Sequence, residues 1–112
     1  MSTTLINPVR RIVELLVARD YEQIVKITNA RRLNAKSLEG AIRGYGRDLI
    51  MPPAQAFDRL DVVRVKNATP PRWSVRLNLW TLEEGRSNLS LELTVVQWGD
   101  DYGIEVDDIH VL

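Results

Sequence analysis

A chain of 112 residues, 45% hydrophobic and 27% charged, is the length of one globular domain and can bury a core without a disulfide or metal staple. It has no Cys and one His, which excludes disulfide frameworks, thiol chemistry, thiolate zinc sites and His-rich metal centres within one chain. The 15 basic and 15 acidic side chains cancel overall but divide along the chain. Residues 1–76 hold fourteen Lys and Arg against seven Asp and Glu, a balance of +7, and residues 77–112 hold only Arg86 against eight acids, a balance of −7. Such a split serves either a charged partner or the packing of one half on the other. Met1–Arg11 lacks the apolar stretch of a secretion signal, and no uncharged run approaches the roughly 18 residues of a membrane span. A soluble cytoplasmic protein is expected.

A first helix is expected to start at Asn7 as N-cap, with Pro8 at the first helical position. Val9, Ile12, Val13, Leu16 and Val17 recur at helical spacing, and Arg10 and Glu14 flank them as an i, i+4 pair. Asp20, with Gln23 three residues on, opens a second helix whose buried side is Tyr21, Ile24, Val25 and Thr28. One bent rod and two helices with a corner at Asp20 are both compatible with this pattern. Asn34 caps a third helix; Leu33 is placed to pack on Leu38, and Leu38, Ala41, Ile42 and Tyr45 form its stripe. Gly46 supplies the left-handed stop. The helical part thus covers about 7–47. Pro52-Pro53 halts any helix, so that about 48–59 reads as a linker to a sheet part of about 60–112.

From Leu60 the hydrophobic period becomes two. Asp61–Lys66 is a first strand. Trp73, Val75, Leu77 and Leu79 alternate with polar residues in a second, and Leu89, Leu91, Leu93 and Val95 do so in a third. Turns are expected at Glu83–Ser87 and Gly99–Asp101. Ile104 and Val106 begin a fourth strand, but Ile109 and Val111 have the opposite parity, which calls for a bulge near Asp107-Asp108. The whole chain, 1–112, therefore reads as one α+β domain: two or three N-terminal helices on one face of a four-stranded antiparallel meander.

Val13–Ile27 (VELLVARDYEQIVKI) resembles the helix, acidic corner and second helix that open many cystatin-like and NTF2-like domains, and Tyr102–Leu112 (YGIEVDDIHVL) resembles their last strand. Leu79–Val95 (LWTLEEGRSNLSLELTV), together with that ending, resembles a family of small uncharacterised bacterial proteins carried as a domain of unknown function. The resemblance implies a two-layer cystatin-like or NTF2-like fold. Enzymes of the NTF2-like type place a His–Asp or similar pair between helices and sheet, whereas the one His here, His110, lies beside the C-terminus.

Asp107, Asp108 and His110 have the composition of a carboxylate-oriented general base. On a regular strand, however, Asp107 faces away from the other two, and solvated charges on a terminal strand also deter edge pairing. Glu83, Glu84, Asp100 and Asp101 fall in two turns at opposite ends of a strand and form no single site. Arg10, Arg11, Arg31, Arg32, Lys36, Arg43 and Arg47 lack the interleaved aromatics of a nucleic-acid surface. Trp80 and Trp98 both fall on the sheet face turned away from the helices, with Arg72, Arg76, Asn78 and Glu92, as aromatic and Arg anchors of an interface do. If Leu82 faces Asn88, Arg72 comes opposite Trp98, allowing a cation–π contact.

The expected function is a non-catalytic protein-binding module acting through that outer face and the acidic C-terminal half, in the manner of an immunity protein, with no catalytic residue, metal or cofactor. The partner is another protein or a second copy, with neither membrane nor nucleic acid expected. One alternative is a small-molecule pocket between helices and sheet lined by Tyr21, Tyr45, Trp73 and His110. A second alternative is a homodimeric structural subunit.

Overall fold

The computed structural model describes residues 3–28 and 33–112. Helix α1 (Thr3–Val17) starts a turn before Asn7, so Pro8 lies inside it rather than at its first position. The apolar stripe explains this, because Leu5 precedes Val9 by one turn and is buried with it. Burying a leucine contributes roughly 1.5–3 kcal/mol, comparable with the ~3 kcal/mol that an interior proline costs. Arg10 does not pair with Glu14: its guanidinium lies 4.9 Å from the centre of the Phe57 ring, and Glu14 meets Arg11 at 3.7 Å.

Two helices with a corner form, not one rod. Arg19 adopts φ 60°, its N–H bonds the Leu16 carbonyl at 3.1 Å, and the Asp20 N–H bonds the Leu15 carbonyl at 2.9 Å. These paired bonds around a left-handed residue close a helix C-terminus. Helix α2 (Tyr21–Thr28) then begins with the Gln23 N–H donating to Asp20 Oδ1 at 3.3 Å. Helix α3 (Ala35–Tyr45) is capped as the sequence predicts: Asn34 accepts from the Ser37 N–H at 2.8 Å, and Gly46 takes φ 75°.

The stretch expected to be a linker, 48–59, is part of the fold. Strand β1 (Leu49–Ile50) pairs with Trp80 and Thr81. Helix α4 (Ala54–Phe57) starts directly after Pro52-Pro53 and buries Phe57 in the core. The prolines end what precedes them but suit the start of a helix.

Strands β2 (Asp61–Arg64), β3 (Arg72–Thr81), β4 (Gly85–Trp98) and β5 (Asp101–Val111) form the antiparallel meander. Strand β1 shares an edge of β3 with β2, so the sheet is open and has five strands rather than four. Leu77 and Leu79 of β3, Leu91 and Leu93 of β4, and Ile104 and Ile109 of β5 meet Val9, Ile12, Leu16, Ile24 and Leu38 of the helices in one core. The architecture is two-layer α+β. Among the described residues, no helix is long and apolar enough to cross a membrane.

Two irregularities set the register. Glu92 faces Asp108 while Leu93 faces Val106, leaving Asp107 as the bulged residue that the parity slip predicts. Between β3 and β4, Asn78 faces Ser90 and Trp80 faces Arg86, so that residues 87–89 oppose Leu79 alone. Side chains stitch this second bulge: Ser87 Oγ donates to the Leu79 carbonyl (2.7 Å) and accepts from the Leu89 N–H (3.1 Å), and Asn78 Nδ2 donates to the Ser87 carbonyl (2.7 Å). The bulge overturns the expected alignment of Leu82 with Asn88. Thr81 faces Gly85, and Arg72 faces Val96 rather than Trp98.

Candidate functional site

Arg72, Arg76, Asn78, Trp80, Glu92 and Trp98 do lie on the outer face, at alternate positions to the buried residues of β3 and β4. They do not form one patch. Trp80 faces Arg86, and Trp98 lies ten ladder positions further along the same strand once residues 87–89 are taken as the single position opposite Leu79, roughly 33 Å at about 3.3 Å per residue. That is most of the length of the molecule, whose longest extent is 39 Å. Trp98 is 60% exposed, with its indole against Gly103, where a Cβ would come 3.2 Å from Nε1. Trp80 lies over Gly85 at the other end. The register that separates Arg72 from Trp98 removes the expected cation–π pair; the one at this end of the sheet joins Arg64 to Trp73, at 5.8 Å.

Between the two Trp side chains the outer face is concave. A groove of about 470 Å³ has Val63 and Val65 on its β2 side and Glu105 and Asp107 on its β5 side, with Arg72, Ser74 and Thr94 between. The Nε of Arg72 is buried there without a hydrogen-bond partner. Trp80 and Asn78 belong to a second hollow of about 570 Å³ with Pro53, Arg59 and Arg86. Asn78 is also committed to structure, since it accepts from Arg86 Nη2 at 3.3 Å and donates to Ser87.

At the centre of this face the bulge gathers acidic groups and the histidine. Asp107 is re-aimed outward, where its Oδ2 accepts from Thr94 Oγ1 at 2.6 Å. Asp108 stands opposite Glu92 and His110 opposite Ser90. His110 Nδ1 lies 3.0 Å from Asp108 Oδ2 and 3.9 Å from Glu92 Oε2, the nearer contact falling outside hydrogen-bond geometry. Arg76 Nε approaches Glu92 Oε1 at 3.4 Å, and the Ile109 N–H donates to Asp108 Oδ1 at 2.9 Å. Ligand atoms of Glu92, Asp108 and His110 all lie within 4.8 Å of one another. Sequence reasoning placed Asp108 with His110 but missed Glu92, which joins them only across the strand pair. The two-residue turn at Gly99-Asp100 and the bulge at Asp107 together fix that pairing, and both were visible in the sequence.

Part of the charge split is resolved internally. Glu84 accepts from Tyr45 Oη at 2.9 Å and lies 3.9 Å from Arg47 Nε; Glu83 accepts from the Asp48 N–H at 3.0 Å. The acidic turn thereby fastens the sheet to the end of α3. Arg11, Arg43 and Arg47 pair with Glu14, Glu39 and Glu84, and Arg10 covers Phe57. Arg31 and Arg32 lie outside the described residues.

The residues named for an interlayer pocket are not brought together. His110 is on the outer face and Trp73 on the inner, where it meets Tyr102 with ring centres 6.3 Å apart. Tyr45 is engaged with Glu84. Tyr21 lines a shallow hollow with Arg19, Glu39 and Arg43, where burial raises its pKa and the Arg19 charge opposes that rise. The space between helices and sheet is filled instead by Leu, Ile and Val side chains.

The family profile described as domain of unknown function (DUF7668) matches residues 13–112. The chain belongs to this family. The match begins within α1 and takes in both bulges, the outer groove and the Glu92–Asp108–His110 cluster. No curated protein and no solved structure matches the chain.

Proposed function

We propose that this DUF7668 domain is a non-catalytic protein-binding module whose outer sheet face receives a basic partner. The observation that carries the reading is the outer groove, with exposed Val63 and Val65 on one wall and Glu105 and Asp107 on the other. Apolar contact on one side and a lining in which Asp61, Glu92, Glu105 and Asp107 outnumber Arg72 and Arg76 favour a Lys- or Arg-bearing surface, through both desolvation and steering. The acidic turn Glu83–Glu84 is already engaged within the chain, which leaves Glu105 and Asp107 in the groove, with Asp100 and Asp101 in the turn beside Trp98, to meet a partner. An exposed Trp98 at the end of the same face offers a rim anchor, separate from Trp80. Neutralising a basic protein in this way is the role of an immunity protein, and the two-layer architecture is in keeping with cystatin-like and NTF2-like binding domains. A cytoplasmic, bacterial setting belongs to the same reading.

The test exposes immobilised wild-type chain and a Val63→Asp/Glu105→Lys variant to extract of the source cells. It is run at low salt and at about 1 M salt, where the Debye length falls to about 3 Å. A stoichiometric basic protein should stay on the wild type at low salt and be lost both from the variant and at high salt. Equal retention by the variant, or wild type that captures only itself, would refute the reading; the second result selects the homodimer.

A further inference from the structure

We propose that Glu92, Asp108 and His110 form a binding site for one divalent transition-metal ion, with Zn²⁺ the best match to a donor set of one imidazole and two carboxylates. The strand pairing builds the site. Glu92 and Asp108 are direct cross-strand partners, His110 follows Asp108 on the same face, and the bulged Asp107 sets that phase. One oxygen of each carboxylate is held from outside the cluster, Asp108 Oδ1 by the Ile109 N–H and Glu92 Oε1 by Arg76 Nε. The second oxygens are left near His110 Nδ1, at 3.0 and 3.9 Å, with the nearer one out of line for a hydrogen bond. Outer partners of this kind orient ligands and are characteristic of metal sites. With bonds of about 2.0–2.1 Å, tetrahedral ligand atoms stand about 3.3 Å apart, so only small side-chain adjustments separate this arrangement from a bound one.

An independent observation points to the same place. Ser90 is fully buried, and its Oγ has no hydrogen-bond partner. It lies on the outer face directly opposite His110 and two residues before Glu92. Native structures rarely leave a buried hydroxyl unpaired, and this one stands in the ladder position facing His110. His110 Nδ1, the nitrogen nearest both carboxylates, is likewise buried without a hydrogen-bond partner, while Asp108 keeps 51% of its side chain exposed at the edge of the cluster.

This inference does not rest on the protein-binding reading, and its test needs no partner. The full-length chain, stripped with chelator, is titrated with Zn²⁺ by calorimetry at pH 7.5, while the single imidazole is followed by ¹⁵N NMR. The expected result is one Zn²⁺ per chain, a shift of the His110 Nδ1 resonance, and at least about tenfold weaker binding in both His110→Ala and Asp108→Asn. The two variants guard against a folding defect in either. Absence of stoichiometric binding by the wild type, or variants that bind as tightly as it does, would overturn the assignment and leave a histidine lodged between two carboxylates.

Discussion

Ser87 and Ser90 are both buried on β4, three residues apart, yet their replacement by alanine is expected to have different consequences. Ser87 Oγ donates to the Leu79 carbonyl at 2.7 Å and accepts from the Leu89 N–H at 3.1 Å, closing the bulge between β3 and β4. Ser87→Ala leaves both backbone groups without those partners. At about 1–3 kcal/mol for each orphaned buried group, with some relaxation, the loss is roughly 2–4 kcal/mol. Ser90 Oγ has no partner to lose. Ser90→Ala removes an unpaired buried hydroxyl and keeps the Cβ, so stability holds or rises by up to about 1–3 kcal/mol. Urea unfolding followed by tryptophan fluorescence, in chelator so that no ion bears on Ser90, measures both. The m-value should stay constant while the midpoint falls for Ser87→Ala and stays or rises for Ser90→Ala. Equal midpoint shifts in the same direction would refute the hydrogen-bond reasoning for this strand.

Phe57→Ala should cost about 3–5 kcal/mol, because the ring is buried in the core beneath Arg10. Thermal unfolding would show the loss as a drop well above 10 °C, at about 4–8 °C per kcal/mol for a small domain. A shift of only a degree or two would mean that residues 48–59 behave as the linker their sequence suggests. Asn34→Ala removes the acceptor for the Ser37 N–H at the start of α3 and should cost about 1 kcal/mol. Asn34→Gly should recover most of that in the same urea assay; an alanine variant as stable as wild type would show that the cap contributes nothing.

Local signals in the sequence were reliable where one residue decides one hydrogen bond. Asp20, Asn34 and Gly46 act at the helix ends that their side chains or backbone freedom favour. The Asp107 bulge was legible because a buried face enforces parity, and Ile104, Val106 and Ile109 had to remain inside. The misread features depend on partners far along the chain. Pro8 marks a helix start only if nothing before it is worth burying, and Leu5 is buried. Leu49-Ile50 becomes a strand because Trp80 and Thr81 offer it an edge, which no short window reveals. The Trp80–Trp98 surface failed for a geometric reason. Alternation assigns a face but carries no distance along it, and the two rings stand at opposite ends of β4 and its partner. The Glu92–Asp108–His110 cluster demanded register as well as parity, and register came from the turn and the bulge acting together.

Deletion of Asp107 tests how far that bulge reaches. In the native ladder Val106 faces Leu93 and Asp108 faces Glu92, with Asp107 the extra residue between them. Without it the two pairs become consecutive, every remaining side chain keeps its face, and Ile109 stays opposite Leu91. The loss is the hydrogen bond from Thr94 Oγ1 to Asp107, in a half-buried setting that water reaches, so the expected cost is at most about 2 kcal/mol. Deletion of Glu105 is the control. It leaves Ile104 and Val106 adjacent, so that one of them must turn outward whichever way the register closes, forfeiting roughly 1.5–3 kcal/mol of burial. Thermal unfolding should therefore rank the deletion of Asp107 well above that of Glu105, and only the former should keep the Glu92, Asp108 and His110 geometry and its Zn²⁺ binding. Should both deletions destabilise alike, the bulge would be contributing the twist that seats β5 under the helices, and its outward acids would be a consequence of packing rather than the feature the strand is built to present.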